Sequence, residues 1–418
     1  MPSIPLDVVE LIIDALVQVE DDPSLPATKA CSLACYDFSV VCRKRIFAHI
    51  VVNQRNNMYT PPPKFGWQHR ATTATFEELL RKSPEIVDHI HSLDYSVTPD
   101  DLNHLEVLGQ ILIKMTQLKS FTIRCFGFKW NNTPQLRPAL LHILDLPTLV
   151  DFNLDGITGF YLEDLSRPKN LEEFGFDSVE TSKFPFASPD LPVKLRSMDI
   201  GSFCSATVFE ICAKKCTNGQ PFLDLATLQE LTIRWFSDED VDASFFLLSH
   251  CNALTSLRYY AADGPDADEL SFQDLSSILA LSSATRTLKY LEAHTLYALG
   301  GSLGVYNGLA DELAKMANNN VIEQIKIEIF IQMMSDCDRG DEWGALDRAL
   351  ASGWRYLRRC SVIVVFIGNS PVVSGLEEAL LHVGKTRFPR LSANRDVLFE
   401  FILQKELVPD SLINNVRL

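Results

Sequence analysis

The sequence lacks any apolar run long enough to cross a membrane. Its longest uninterrupted run outside the N-terminal segment is Val362–Ile367, far short of the roughly 20 residues that span a bilayer. The apolar stretch near the start is interrupted by Glu10 and Asp14 and has no basic residues before it, which argues against a signal peptide. We therefore predict a chain without a membrane partner.

Positive charge is also in short supply. The chain has 38 Lys and Arg residues against 54 Asp and Glu residues, and its formal net charge is −16. This charge opposes both the phosphate backbone of nucleic acids and anionic lipid surfaces. We predict that neither nucleic acid nor membrane is a partner.

The ten cysteines show no CxxC pair. Cys31 and Cys35 could share one helix face, as could Cys212 and Cys216, but no second pair of Cys or His completes a zinc set. Several cysteines lie in apolar runs, as expected for reduced thiols packed in a core. This usage predicts a cytoplasmic or nuclear location, or both, and no metal.

Sequence motifs of catalysis are missing as well. There is no GxSxG and no HExxH, and Gly375 and Gly384 are too far apart to build a phosphate-binding loop with Lys385 and Thr386. No nucleophile has a credible base. We predict that the chain is not an enzyme and has no cofactor; a hydrolase or transferase is the least favoured alternative.

What the chain does contain is a recurring pattern of an apolar residue, two variable residues, an apolar residue, one variable residue and an apolar residue. Each copy is short enough to be one strand with alternating faces. The copies start 22 to 35 residues apart. Their first residues are Ile90, Leu118, Leu149, Leu171, Leu195, Leu228, Leu254, Leu288, Ile322 and Leu357.

Helix-like segments separate these strands. A strand and a helix repeating about every 30 residues is typical of a solenoid. The predicted fold class is α/β, an irregular leucine-rich-repeat-like solenoid over residues 51–418, preceded by a small all-α module over residues 1–50. A doubly wound α/β domain is the alternative. We interpret Arg390–Leu418 as a closing cap helix or a partly ordered tail.

The ninth position of each unit departs from the usual repeat, which has Asn or Cys there. Here it is mostly apolar, for example Ile157, Val179, Phe203 and Val365. We expect these residues to bury the turn that follows the strand.

The N-terminal segment resembles a known family. Residues 4–16 (IPLDVVELIIDAL) resemble the opening of the F-box, and residues 30–47 (ACSLACYDFSVVCRKRIF) resemble its second half. Residues 82–95 (KSPEIVDHIHSLDY) are similar to the first repeat after the F-box in the leucine-rich proteins of mushroom-forming fungi. The whole chain looks like these F-box-like leucine-rich proteins.

This resemblance implies a substrate-recognition subunit of an SCF-type cullin-RING ubiquitin ligase, whose first helices bind the Skp-type adaptor. The spacing of Val8, Ile12 and Leu16 agrees, because residues four apart share a helix face. On the positions that match the motif, the implied adaptor-binding residues are Ile4, Pro5, Val8, Ile12, Leu16, Leu33, Val41 and Phe47. The alternative is that this stripe only caps the first strand of the solenoid.

The repeats would then bind the client protein. The third, fifth and seventh positions of each strand unit point away from the core, and on three adjacent units they are rich in carboxylates. We predict that this surface accepts a basic segment of a client, with two tyrosines as anchors. The predicted client-binding residues are Asp151, Asp155, Glu173, Asp177, Asp199, Tyr260 and Tyr290.

Two alternatives stay open. The carboxylates could form a solvated acidic surface that keeps an acidic protein in solution. The chain could also be a non-catalytic repeat scaffold for protein–protein interaction, without ligase association.

Overall fold

The computed structural model describes residues 6–17, 24–53, 69–97, 101, 105–130, 136–182, 189–235, 237–262, 275–281, 283–297, 308–332, 341–367 and 373–406. The chain divides into two compact units, Met1–Val193 and Lys194–Leu418. Within the described ranges, no helix combines the length and apolar character needed to cross a membrane.

The first unit begins with three helices and continues with alternating strands and helices. Its helices are α1 (Leu6–Val17), α2 (Ser24–Ser32), α3 (Tyr36–Ile46), α4 (Thr73–Lys82), α5 (Leu105–Lys114) and α6 (Arg137–Leu144). Its described strands are β1 (His49–Val52), β2 (His69–Ala71), β3 (Ser92–Ser96), β4 (Ser120–Lys129), β5 (Asp151–Thr158) and β6 (Glu173–Asp177). They are parallel, in the order β2-β1-β3-β4-β5-β6. The predicted boundary between residues 50 and 51 falls within β1.

The second unit repeats the alternation of strand and helix, with parallel strands in sequence order from β7 to β13. Its strands are β7 (Ser197–Ile200), β8 (Glu230–Trp235), β9 (Ser256–Ala262), β10 (Tyr290–Tyr297), β11 (Gln324–Gln332), β12 (Arg359–Ile367) and β13 (Leu398–Glu406). Its helices are α7 (Ser205–Ala213), α8 (Asp238–Leu248), α9 (Leu275–Leu281), α10 (Leu309–Met316), α11 (Glu342–Ala351), α12 (Val373–Thr386) and α13 (Pro389–Ala393).

The architecture is therefore α/β, with parallel strands alternating with helices, and it is consistent with a solenoid-like repeat. All ten predicted strands are present, and each begins two residues after the apolar residue that opens its pattern. Ile90, for example, precedes Ser92 of β3, and Leu357 precedes Arg359 of β12.

Alternation along the strands places one apolar row inside each unit. In the first unit, Phe121, Phe152 and Phe174 occupy the same register position on β4, β5 and β6. Their rings stack with centroids 6.2 and 6.0 Å apart. The corresponding row of the second unit is mostly aliphatic and includes Leu257 and Leu291. Both rows are buried.

Side-chain caps explain where two of the helices begin. Thr72 precedes α4, and its side chain accepts a hydrogen bond from the backbone N–H of Thr75, whose own hydroxyl accepts from the Thr72 N–H. Ser237 precedes α8 and accepts from the N–H of Asp240. Such bonds satisfy N–H groups that have no partner within the first turn of a helix.

The sequence pattern does not predict three of the strands, β1, β2 and β13. β13 lies in the stretch Arg390–Leu418, so the interpretation of that stretch as a cap helix or tail is wrong for Leu398–Glu406, although α13 does place a short helix at its start. Asp396 stands where the pattern requires an apolar residue, which hides the strand in the sequence. β1 does fit the pattern from Phe47 to Val52, but Phe47 was assigned to the preceding helix.

Burial at the ninth position is only partly as expected. Ile157, Val179 and Val365 are buried. Phe203 is instead 67% exposed and adopts a left-handed backbone with φ of 54°. The turn after β7 is therefore not closed by burial of this side chain.

Candidate functional site

Helices α1–α3 enclose a small apolar core of their own. Val9 and Ile13 of α1 are buried against Val41, Cys42 and Ile46 of α3. Cys31, Phe38 and Phe47 pack against this core. Burial, with a smaller contribution from Cys31, raises the pKa of the Cys42 thiol to about 11, so the thiol stays protonated. Val41 and Phe47 therefore support the helices from behind.

The other side of α1 exposes a second set of apolar side chains. Val8 is 40%, Leu11 69% and Ile12 41% exposed. At the turn between α2 and α3, Leu33 is 88% and Tyr36 81% exposed. We call these five side chains the N-terminal apolar surface. It contains three predicted adaptor-binding residues, Val8, Ile12 and Leu33.

The remaining predicted adaptor-binding residues are only partly covered by the structure. Ile4 and Pro5 lie outside the described residues. Leu16 lies in α1, but its side chain is outside the description.

At the end of α3, Arg43 approaches Glu85 to 3.5 Å, and both side chains are about half exposed. A pair of this kind contributes little to stability.

In the first unit, four predicted client-binding residues lie on β5 and β6. The strand register places Asp151 beside Glu173 and Asp155 beside Asp177. Asp151 is only 6% exposed, and it accepts hydrogen bonds from Ser120 Oγ (2.9 Å) and Asn153 Nδ2 (2.8 Å). The other three are partly exposed. Asp151 is therefore part of the strand packing, whereas the other three can meet a ligand.

Arg124 is the basic side chain that faces this acidic region from β4. Its guanidinium pairs with Asp94 of β3, and its Nε lies 3.7 Å from Asp155 Oδ2. Arg124 thus compensates part of the negative charge on these strands. The carboxylates of Asp155, Glu173 and Asp177 form what we call the first-unit acidic surface.

The other predicted client-binding residues, Asp199, Tyr260 and Tyr290, lie in the second unit. Asp199 pairs with both terminal nitrogens of Arg234 on the next strand, at 2.6 and 3.1 Å. The Arg234 guanidinium lies 5.3 Å from the Tyr260 ring centroid. Tyr260 also stacks on His294, with centroids 4.0 Å apart and planes 13° apart. Burial raises the pKa of Tyr260.

Tyr290 belongs to a larger polar group, the Glu292 cluster, made of Arg258, Tyr290, Glu292, His294, Lys326 and Glu328. Tyr290 Oη donates to Glu292 Oε2 at 2.9 Å, and Arg258 Nε donates to the same oxygen at 3.1 Å. Lys326 Nζ lies 2.6 Å from Glu292 Oε1 and 2.9 Å from Glu328 Oε2. Three donors thus converge on one carboxylate that is almost fully buried.

Charge pairing sets the protonation states in this cluster. Burial alone would raise the pKa of Glu292, but the neighbouring His294 and Lys326 outweigh it and hold the pKa well below its usual value. Burial would lower the pKa of Lys326, but its two carboxylate partners raise it instead. Burial and the Glu292 charge raise the pKa of Tyr290. At neutral pH, Glu292 is therefore a carboxylate and Lys326 is protonated.

The sequence placed these residues on the outward positions but gave no reason to single them out. The signal that could have done so is spacing. Arg258, Glu292 and Lys326 follow one another at intervals of 34 residues, and the structure pairs them in register across β9, β10 and β11. Repeats of equal length bring such residues side by side, so opposite charges at equal spacing predict an ion-pair row.

Comparisons with known proteins do not add a family. A scan against models of protein families and a search of curated proteins both found no match to this chain. The likeness of the N-terminal segment to the F-box stays a prediction, and so does the leucine-rich assignment of the strand units.

Proposed function

We propose that this protein is the substrate-recognition subunit of an SCF-type cullin-RING ubiquitin ligase, acting in the cytoplasm, the nucleus or both. Helices α1–α3 would dock the Skp-type adaptor, as the resemblance to the F-box implies. The leucine-rich-repeat-like strand units would bind the client. The chain itself would catalyse nothing, and it would promote ubiquitin transfer by raising the effective concentration of the client near the ligase's charged enzyme.

The observation that carries this proposal is that α1 is apolar on two sides. Val9 and Ile13 face the core shared with α3, while Val8, Leu11 and Ile12 face outward. Apolar side chains outside the face that a helix buries in its own domain are normally covered by a partner. A contiguous apolar patch at the surface marks a site of interaction with another protein. Leu33 and Tyr36 add two further exposed side chains between the end of α2 and the start of α3.

The first experiment measures binding of the full chain to a purified Skp-type adaptor by calorimetry. We expect Val8→Asp combined with Ile12→Asp to weaken binding at least about 100-fold, because burying an unpaired carboxylate in an apolar groove costs several kcal/mol. Both side chains are about 40% exposed in the free chain, so the variant should fold.

The matched control carries the same two charges on another helix of the first unit. Val107 and Ile113 of α5 are 39% and 50% exposed, and Val107→Asp with Ile113→Asp should leave adaptor binding unchanged. Equal loss in both variants would assign the effect to general surface charge. Absence of binding by the folded wild-type chain would overturn the proposal.

For the client, we propose that the first-unit acidic surface accepts a basic segment. Asp155, Glu173 and Asp177 supply three partly exposed carboxylates on two adjacent strands. A ligand with lysine or arginine side chains at matching intervals would pair with them, and electrostatic attraction would speed its approach.

A fluorescent arginine-rich peptide, measured by anisotropy at low and high salt, tests this surface. Reversing Asp155, Glu173 and Asp177 to Lys should abolish binding of the peptide. Asp151 is left unchanged because it is buried. Reversing three exposed carboxylates of the second unit, Glu239, Glu377 and Glu378, to Lys is the control for the same loss of net negative charge. Binding that survives the triple reversal would leave the carboxylates as a solvated surface.

The alternative is a repeat scaffold without ligase association. It becomes the working function if the folded chain fails to bind the adaptor but still binds the basic peptide through the first-unit acidic surface.

A further inference from the structure

Glu292 and His294 on β10 and Glu328 on β11 place three metal-binding side chains side by side. One ligand atom from each lies within 4.8 Å of the others, and this is the one such set within the described ranges. We propose that these three residues bind a divalent ion of the Zn²⁺ type, in exchange for the ammonium group of Lys326. This proposal goes beyond the receptor function and does not depend on it.

The first argument is that the Glu292 carboxylate is already oriented. Arg258 Nε and Tyr290 Oη both contact Oε2, at 3.1 and 2.9 Å. The other oxygen, Oε1, points to His294 and Lys326. A carboxylate held by one oxygen presents the second in a fixed place, as partners of metal-binding carboxylates commonly arrange.

The second argument is the state of His294. The residue is 6% exposed, and neither of its ring nitrogens completes a hydrogen bond with good geometry. Nε2 lies 3.0 Å from Glu292 Oε1, and Nδ1 lies 3.8 Å from Glu328 Oε1. Stacking on Tyr260 fixes the ring plane. A buried nitrogen without a hydrogen bond costs free energy, and a metal ion would recover it.

The third argument is the position of Lys326. Its ammonium lies 2.6 Å from Glu292 and 2.9 Å from Glu328, so a cation already bridges the two carboxylates. The side chain is 29% exposed, which leaves it a path to solvent. A divalent ion carries twice its charge and forms a coordinate bond with the imidazole nitrogen, where an ammonium group can offer only a hydrogen bond.

The donor set decides the class of ion. One imidazole nitrogen and two carboxylate oxygens suit Zn²⁺ and similar ions, which take such ligands at about 2.0–2.2 Å and complete the site with water. Binding would join β10 to β11 and release the Lys326 ammonium to the strand surface. The second unit would then present more positive charge than it does without the ion.

The test is calorimetric titration of the full chain with Zn²⁺. His294→Phe retains the stack on Tyr260 but removes both ring nitrogens. We expect it to lower the affinity for one equivalent of Zn²⁺ at least about 100-fold. Lys326→Met removes the competing cation and should raise the affinity for the same equivalent of Zn²⁺ at least about tenfold. Circular dichroism and thermal unfolding check that both variants are folded.

Two controls separate this site from adventitious binding. Lys289→Met removes an exposed lysine that lies 3.5 Å from Glu323, and it should leave the affinity unchanged. Co²⁺ used as a probe reports thiolate ligands through an intense near-ultraviolet band, so it reveals binding by cysteines. Equal affinity in wild type and His294→Phe would overturn the proposal. An affinity unchanged by Lys326→Met would overturn the exchange.

Discussion

On β5 and β6 of the first unit, the charged outward side chains are all carboxylates, whereas on β9, β10 and β11 of the second unit acids and bases alternate. Register places Asp155 beside Asp177, but it places Glu292 between Arg258 and Lys326. Like charges on adjacent strands repel and opposite charges stabilise. On these strands the second unit places opposite charges in register, whereas the first places carboxylates beside one another.

The interiors differ as well. The first unit stacks Phe121, Phe152 and Phe174 in one row, with Trp130 and Phe160 beside Phe152. The equivalent row of the second unit is largely aliphatic, with Leu231, Leu257 and Leu291 in register. Large rings leave large cavities when removed, so the same truncation should affect the two units unequally.

The largest effect is therefore expected from truncation of Phe152. Phe152→Ala should lower the free energy of unfolding of the first unit by about 4 kcal/mol, and Leu291→Ala should lower that of the second by about 3 kcal/mol. Hydrogen exchange under increasing denaturant, followed in peptides from each unit, measures both. Losses of equal size in both units from either variant would contradict the separation of the two cores.

The second-largest effect is expected from removing the charge of Glu292, the central carboxylate of the Glu292 cluster. Glu292→Gln removes a buried charge and leaves Arg258 and Lys326 with fewer anionic partners, so we expect a loss of about 3 kcal/mol in the free energy of unfolding. Glu400→Gln breaks a more exposed pair with Arg359 and should have a much smaller effect. Chemical denaturation measures the free energy of unfolding of both variants. Equal losses would show that burial of the carboxylate does not determine how much stability its removal costs.

The pH dependence should also separate the units. Burial, helped by His91, lowers the pKa of His49 from 6.5 to about 4, so the folded first unit favours the neutral ring. Its stabilisation is present above pH 6.5 and decreases by about 2 kcal/mol as the pH falls to about 4, after allowance for solvent screening. Glu292, whose pKa is lowered from 4.5, loses its contribution only at more acidic pH.

Hydrogen exchange between pH 7 and pH 4 should therefore show the first unit weakening before the second. His49→Gln removes this contribution and should reduce the pH dependence of the first unit alone. Burial also lowers the pKa of His89, so part of the dependence should remain. A profile that is unchanged by this substitution would rule out His49 as its cause.

The smallest effect is expected on the first-unit acidic surface. Asp177→Asn removes one of two like charges in register and keeps an oxygen for the Ser178 hydroxyl, which donates to Oδ1 at 3.1 Å. We expect a gain of about 0.3 kcal/mol in the free energy of unfolding at low salt, and the gain should vanish at high salt. A gain that persists at high salt would point to a cause other than repulsion.

Much of the fold could be predicted from the sequence because its signal is periodic. Alternating apolar residues mark β3 to β12, and the strand starts follow the pattern without exception. β13 was not predicted because Asp396 breaks the pattern. β1 was not predicted because Phe47, the first residue of its pattern, also fits the end of the helix before it. The outward position of Asp155 or Glu292 was predictable, since a strand has a period of two residues.

What the sequence could not decide is which outward residues are buried and which partners they meet. Asp151 and Asp177 occupy equivalent kinds of position, yet Asp151 is buried by the side chains of Ser120 and Asn153. Tyr260 was predicted as an anchor, but His294 and Arg234 lie against its ring. Apart from the bond from Asn153 within β5, these contacts join residues of neighbouring strands that lie 26 to 34 positions apart in the chain.

The sequence by itself thus determined the α/β class, the alternation of strand and helix, and the shared face of Val8 and Ile12 on α1, because each follows from local periodicity and from burial of apolar surface. Only the tertiary structure decided the pairing of charges, since register across parallel strands brings together residues from separate repeats. Arg258, Glu292 and Lys326 meet for that reason, and Asp155 and Asp177 lie side by side for the same reason.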